Sequence, residues 1–186
     1  MDIQHSRYSV TAASILGEFK RCGITHVVTV PDMLQIALHK LLEDPACGIT
    51  VIPTTTEDQA IEVASGLYAG GKRAVVLMQN QGLFASINSI RALGLDSKIP
   101  LLMLVGQFGR EFSNLGDDPR KSKRRMVRIL EPLLETLDIP YWRLEGPADV
   151  GGVSKAWDAA QARSGPAVAI AGHFVGWSQP SEIASA

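Results

Sequence analysis

Polar side chains gather at three points where the chain should pass from a strand into a helix. They are Pro31-Asp32, Thr54-Thr55-Thr56-Glu57 and Gln79-Asn80-Gln81-Gly82. In open α/β sheets ligands bind outside the carboxyl ends of the strands, so a carboxylate and several amides there suit ligand binding and proton transfer. Glu57 is the sharpest case. It opens a segment in which Ala60, Ala64, Leu67 and Tyr68 recur on one helical face, with Ile61 widening the stripe. Thr56 or a neighbouring threonine is placed to cap the first turn. A plainer reading of Glu57 fits the same residues, because an acid in a first turn complements the helix dipole. Gln79 and Asn80 are equally suited to satisfying turn backbone. The local pattern leaves these alternatives open.

The elements that must position these groups alternate along the chain. Ala12, Ile15, Leu16, Phe19 and Cys22 mark a helix stopped by Gly23, and 25–30 is a β-branched strand. Leu34, Ala37, Leu38 and Leu41 mark a second helix, followed by a strand at 49–53 and the Glu57 helix ending at Gly70-Gly71. The run 74–78 has no alternation, so both its faces should be buried. A helix bearing Leu83, Ile87, Ile90 and Leu93 precedes a strand at 101–105 and a long loop over 106–122. Met126, Leu130, Leu133, Leu134 and Leu137 share a face that Pro132 should break or restart. A short strand at 141–144, a helix with Val150, Val153, Trp157 and Ala160, and a strand at 167–170 complete the order. Six strands alternating with helices predict a three-layer α/β/α fold around a six-stranded parallel sheet. Beyond Gly172, Phe174 and Trp177 either pack back on the domain or reach a partner.

Composition bounds the function. The 186 residues, 46% hydrophobic and 20% charged, predict one globular domain. A net charge of -1 gives no general attraction to nucleic acid or membrane. The basic run at 121–128 reads as a solvated helix face. Two cysteines, Cys22 and Cys47, build neither a disulfide framework nor a zinc site. Met1 to Arg7 lacks the build of a secretory signal, and no apolar run approaches the ~20 residues of a membrane span. The expectation is a cytoplasmic protein. No phosphate-binding glycine loop and no Gly-x-Ser-x-Gly turn occurs, which argues against self-contained nucleotide binding and hydrolase chemistry.

Taken in order, the polar strand ends resemble the pyrimidine-binding (PYR) domain of thiamine-diphosphate enzymes. The likeness is to the α subunits or N-terminal domains of the sulfopyruvate and phosphonopyruvate decarboxylase group. It rests on Val30-Pro31-Asp32, on the helix from Thr56-Glu57-Asp58 to Gly70-Gly71-Lys72-Arg73, and above all on Met78-Gln79-Asn80-Gln81-Gly82-Leu83. Asn88-Ser89 and the 99–105 strand also fit. The resemblance spans roughly residues 10 to 165 and is specific between 50 and 111.

The resemblance implies that Glu57 bonds the cofactor's pyrimidine nitrogen and relays the proton that activates it, general acid–base work typically worth ~10²–10⁴-fold. It implies cofactor contacts from Thr56, Gln79, Asn80, Gly82 and Leu83, and a small 2-oxo-acid substrate near Pro31, Asp32, Gln81 and Arg110. Arg110 and Arg120 carry the guanidinium fork that suits a carboxylate. Relatives follow the fourth strand with an Arg-Gly-Glu segment and an acidic stretch holding a histidine. This chain has Gly109-Arg110-Glu111-Phe112, then Asp117-Asp118-Pro119-Arg120, so the 2-oxo acid is left open. The family's Gly-Asp-Gly segment and asparagine pair, which hold Mg²⁺ and the diphosphate, have no counterpart here. The expectation is therefore a single PYR domain over 1–186, with no metal ligands of its own. A diphosphate-binding (PP) subunit would supply the other half of the site, in an α2β2 or larger assembly. An acetolactate-synthase-like carboligase subunit and a non-catalytic regulatory module that kept the fold are the alternatives.

Overall fold

The computed structural model describes residues 7–178. Its strands are β1 His26–Thr29, β2 Thr50–Pro53, β3 Ala74–Gln79, β4 Leu101–Gly106, β5 Tyr141–Leu144 and β6 Pro166–Ala171. All pairings are parallel, in the order β2-β1-β3-β4-β6-β5. The helices are α1 Ala12–Arg21, α2 Ile36–Leu42, α3 Glu57–Ala69, α4 Asn80–Ala85, α5 Ile87–Ser89, α6 Arg125–Arg128, α7 Leu130–Thr136 and α8 Gly152–Arg163. The expected six-stranded, three-layer architecture is present.

Side-chain alternation divides the interior into two cores. Val75, Leu77, Leu102, Leu104, Ala167, Ala169 and Ala171 face α1, α2 and α8. Val76, Met78, Leu101, Met103, Val105, Val168 and Ile170 face α3, α4 and α7. The central strands are therefore apolar throughout 74–78 and 101–105, as the unbroken runs in β3 and β4 require. Small residues decide the packing on β6. Its three alanines meet Val153, Ala156, Trp157 and Ala160 of α8, so that helix lies close to the sheet. Fully buried Ile15, Phe19 and Leu38 each contribute about 1.5–3 kcal/mol by leaving water.

One element departs from the sequence pattern. The single helix expected over Leu83 to Leu93 is interrupted after α4 and ends in a π-helix at Ile90–Asp96. Ser86 marks the break: its buried hydroxyl donates to the Gly82 carbonyl at 2.7 Å, and its N–H is shared between the Gly82 and Leu83 carbonyls. Pro132 behaves as its chemistry dictates. The chain stops α6 at Arg128 and restarts at Leu130, which puts Pro132 in a first turn where the missing N–H costs nothing. The chain after β6 packs back on the domain. Val175 N–H donates to the Leu34 carbonyl at 2.7 Å, Gly176 N–H to Val10 at 2.8 Å, and Ala12 N–H to Gly176 at 3.0 Å.

Candidate active site

Strand order reverses at β1. The chain leaves β1 for β2 on one side, and β3 then pairs on the other. Such a reversal opens a crevice at the carboxyl ends of the strands, because the two connections leave on opposite faces. The loops after β1, β2 and β3 meet there. They are the three polar segments.

Glu57 is the first residue of α3, after Thr56 in extended conformation. The cap does not come from the Thr56 hydroxyl. Instead Gln59 reaches back, its Oε1 accepting the Thr55 N–H and hydroxyl, both at 3.0 Å. Asp58 accepts the Gln59 N–H at 3.0 Å, and its carboxyl is held below its ordinary value by hydrogen bonds from the Thr56 side chain and the Gln59 backbone. None of these bonds around the first turn uses the Glu57 carboxylate. Its half-buried carboxylate has no hydrogen bond or ion pair among the described residues. The side chain lies directly against Gly82 of α4, where an added methyl group would overlap Glu57 Cγ, Cδ and Oε1. The absence of a side chain at residue 82 therefore lets the acid lie across the mouth of the β1–β3 crevice.

The loop after β1 is fixed from within. Asp32 is buried, and its carboxylate accepts the Leu34 N–H at 2.9 Å and the Gln35 amide at 3.0 Å. That amide also donates to the carbonyls of Met78 and Leu104 at 3.1 and 3.3 Å, tying the loop to β3 and β4. Gly106 leaves the room, since a methyl group there would overlap Asp32 Oδ2. His39 accepts the Asp32 N–H through Nε2 at 3.2 Å. Burial pushes its pKa below the usual histidine value, although Asp32 and Glu43 act in the opposite direction. Neither Gln35 nor Gly106 carries a sequence signal beyond helix and strand membership.

After β3 the four polar residues separate in role. Gln79 is half-buried at the strand end, and its side chain makes no hydrogen bond among the described residues. Asn80 is fully buried, donating from Nδ2 to the carbonyls of Phe108 at 3.1 Å and Met126 at 3.3 Å, while its Oδ1 accepts the Gln81 N–H at 3.0 Å. Gln81 is exposed and reaches the Met126 sulfur at 3.6 Å. The Leu83 side chain is in the core beside Met78 and Ile90. Thr56 and Pro31 are exposed at the rim.

Arg110, expected to face a substrate, is engaged inside the protein. Its side chain is 1% exposed and pairs with Glu145 at 2.5 Å. The other donors reach Gln107 Oε1 at 3.4 Å, Asn114 Oδ1 at 3.1 Å, and the carbonyls of Asn114 at 3.1 Å and Asp117 at 2.9 Å. All five N–H groups of the guanidinium are accounted for, which leaves none for a ligand carboxylate. Arg120 is likewise paired with Glu131 at 3.3 Å and with Glu135 and Tyr141. In the basic run, Lys121 pairs with Asp117 at 3.0 Å and Arg128 donates to the Ser122 and Lys123 carbonyls. Lys123, Arg124 and Arg125 are exposed. Among the described residues no group of three or more His, Cys, Asp or Glu side chains is arranged to hold a metal ion, and no helix is long and apolar enough to cross a membrane.

Relatives share this frame. Residues 10–126 match the family model described as thiamine pyrophosphate enzyme, N-terminal TPP binding domain. The chain is 37% identical over 128 residues to sulfopyruvate decarboxylase subunit alpha of Methanococcus maripaludis, covering 67% of this chain and 71% of that one. It is 31% identical over 138 residues to the subunit of the same name from Methanocaldococcus jannaschii, covering 73% and 77%. With phosphonopyruvate decarboxylase of Streptomyces viridochromogenes the identity is 27% over 133 residues, covering 71% of this chain but 32% of that protein. A solved 2-oxoglutarate:ferredoxin oxidoreductase from Magnetococcus marinus shares the fold, with a TM-score of 0.58 at 17% identity, covering 87% of this chain and 28% of that one. The unengaged glutamate, the glycine beneath it and the β1–β3 crevice all lie inside the matched stretch, and the chain belongs to the family of thiamine pyrophosphate enzymes through its N-terminal TPP binding domain.

Proposed function

We propose that this chain is the PYR subunit of a two-component, thiamine-diphosphate-dependent 2-oxo-acid decarboxylase. One observation carries the reading: the carboxylate of Glu57 lies across Gly82 at the carboxyl edge of the sheet with no partner among the described residues. The fit to the cofactor's aminopyrimidine rests on that pair, an acceptor with nothing to accept from and a cradle that a methyl group would fill.

Thiamine diphosphate, when bound, supplies the carbon nucleophile that decarboxylation of a 2-oxo acid requires. Glu57 takes and returns one proton at its carboxylate oxygens. Gly82 keeps the space beside that carboxylate open, and Gln79 and Thr56 line its approach. Pro31 and Gln81, exposed on either side, flank the substrate. Asp32 acts one step back, holding the β1 loop in shape. Magnesium and the diphosphate are assigned to the partner PP subunit, in an α2β2 or larger cytoplasmic complex. The names of the relatives favour a 2-oxo acid with a second acidic group, as in sulfopyruvate or phosphonopyruvate.

The test is reconstitution with a PP-type subunit, thiamine diphosphate and Mg²⁺, followed by carbon dioxide release from sulfopyruvate, phosphonopyruvate and pyruvate. Release that needs both chains supports the reading. A condensation product in place of the aldehyde identifies the carboligase. A complex that forms and stays inert with every 2-oxo acid identifies the regulatory module.

A further inference from the structure

We infer that Asn80 is a positioning residue for the Glu57 site: it locks the first turn of α4, and with it Gly82, to the loop after β4. The inference rests on the proposed role of Glu57, and assigns Asn80 no contact with cofactor or substrate.

The geometry is specific to an amide. Both Nδ2 hydrogens are taken by carbonyls, Phe108 at 3.1 Å and Met126 at 3.3 Å, and Oδ1 takes the Gln81 N–H at 3.0 Å. Two neighbours that only accept and one that only donates fix which end is nitrogen. An aspartate of the same shape would set a carboxylate against two carbonyls. A hydrophobic residue would leave both carbonyls and one first-turn N–H without partners, and buried polar groups are costly to leave so. Asn80 is fully buried, so no ligand atom reaches it without displacing one of these bonds.

Gly82 is where this matters. A glycine has no side chain to locate itself, so the backbone around it sets its position. Asn80 holds that backbone on one side through Gln81, and the Ser86 hydroxyl holds the Gly82 carbonyl on the other at 2.7 Å. The anchors of Asn80 lie in a segment that is itself fastened. Arg110 ties 107–117 to β5, and Glu111 accepts the Ser122 hydroxyl and the Lys123 N–H, both at 2.6 Å. The loop after β4 and the surface beneath Glu57 are therefore joined through the buried Asn80 amide, with exposed Gln81 adding only a 3.6 Å contact to the Met126 sulfur. Misplacement of a reacting group by about 1 Å can cost 10²-fold in rate, which is why a residue remote from the chemistry can govern it.

The experiment compares Asn80→Ala and Asn80→Asp with wild type in the reconstituted complex, and in the chain alone by hydrogen exchange. The expected result is a fall in kcat of about 10–100-fold with KM changed less than about threefold, and a displaced acidic limb in the pH profile of kcat. Exchange should quicken together at the amides of 81–83 and 124–128. Asn80→Ser, which keeps one donor, should recover part of kcat, and it replaces Asn80→Ala if that variant does not fold. Unchanged kcat and pH profile, whatever happens to the melting temperature, overturns the inference. So does a loss confined to KM, which would mark a ligand contact, or faster exchange in only one of the two segments. Glu57→Gln is the control: a near-normal rate there removes the proposed function, while the exchange result still decides whether Asn80 couples the two segments.

Discussion

The carboxyl edge of the sheet carries two charged regions built in opposite ways. Beyond β4 and β5, Arg110 meets Glu145, and Arg143 meets buried Glu131 through two 2.6 Å bonds, with Arg120 closing on Glu131 and Glu135. Each of these charges has a partner. Beyond β2 and β3, Glu57 has none among the described residues, although it is half-buried and packed hard against a glycine. Burying a charge without a partner costs free energy, so native structures pair buried charges unless another requirement intervenes. The paired region is architecture, fastening a long loop to the sheet edge. The unpaired acid keeps its acceptor capacity for something outside the chain.

Each prediction tests one side of that contrast, and the largest effect belongs to Glu57. Glu57→Gln keeps the shape and removes the titrating group. Turnover by the reconstituted complex should fall ~10²–10⁴-fold. Stability should change by no more than about 0.3–1 kcal/mol, the worth of a first-turn acid, as read by denaturant unfolding of the chain. Turnover close to wild type would make Glu57 a helix-dipole acid and nothing more.

Gly82→Ala should come next. The methyl group must displace the Glu57 side chain, and turnover should drop by about 10²-fold while the circular dichroism of the chain is unchanged. A Gly82→Ala enzyme of normal rate would show that the contact does not set the site.

The architectural side responds through stability. Arg110→Ala leaves Glu145 and several loop carbonyls without their donor, and should cost about 3 kcal/mol in urea unfolding, in line with breaking a buried ion pair. Unfolding unaffected by Arg110→Ala would mean the loop is held by something else.

His39 gives a smaller, pH-dependent effect. Its folded-state pKa is lowered from 6.5, chiefly by burial, so the unfolded chain binds the extra proton first. The contribution is fully present above 6.5 and is lost as pH falls from there through the lowered folded value. His39→Gln should flatten that part of the stability–pH curve, and an identical slope in the variant would refute the assignment. The smallest effect is expected for Asp58→Asn. The Asp58 carboxylate is exposed and serves only its own helix turn, so turnover should stay near wild type.

Much of this was legible in the chain as written. Apolar periodicity located the six strands within a residue or two, and the turn residues after β1, β2 and β3 marked the polar edge. The central strands were clear because burial on both faces demands an unbroken apolar run, as in Val75, Val76, Leu77 and Met78. The expected helix over Leu83 to Leu93 was wrong in its interior, because Ser86 satisfies its hydroxyl on the Gly82 carbonyl at the point where the turn widens. Periodicity does not register a side chain bonding its own backbone.

The layer order, the strand ends and the place of the acid at residue 57 follow from local side-chain chemistry and spacing, and so can be read along the chain. How the polar residues divide depends instead on contacts made across the fold. Asp32 and Asn80 turn inward because Gln35, Phe108 and Met126 bring donors and carbonyls to them from distant parts of the chain. Arg110 is engaged because Glu145 arrives at the end of β5. Glu57 stays unengaged because none of the described residues brings it a donor and Gly82 leaves it room. Whether a polar side chain is satisfied depends on partners far away in sequence, and that is settled only when the sheet closes them together.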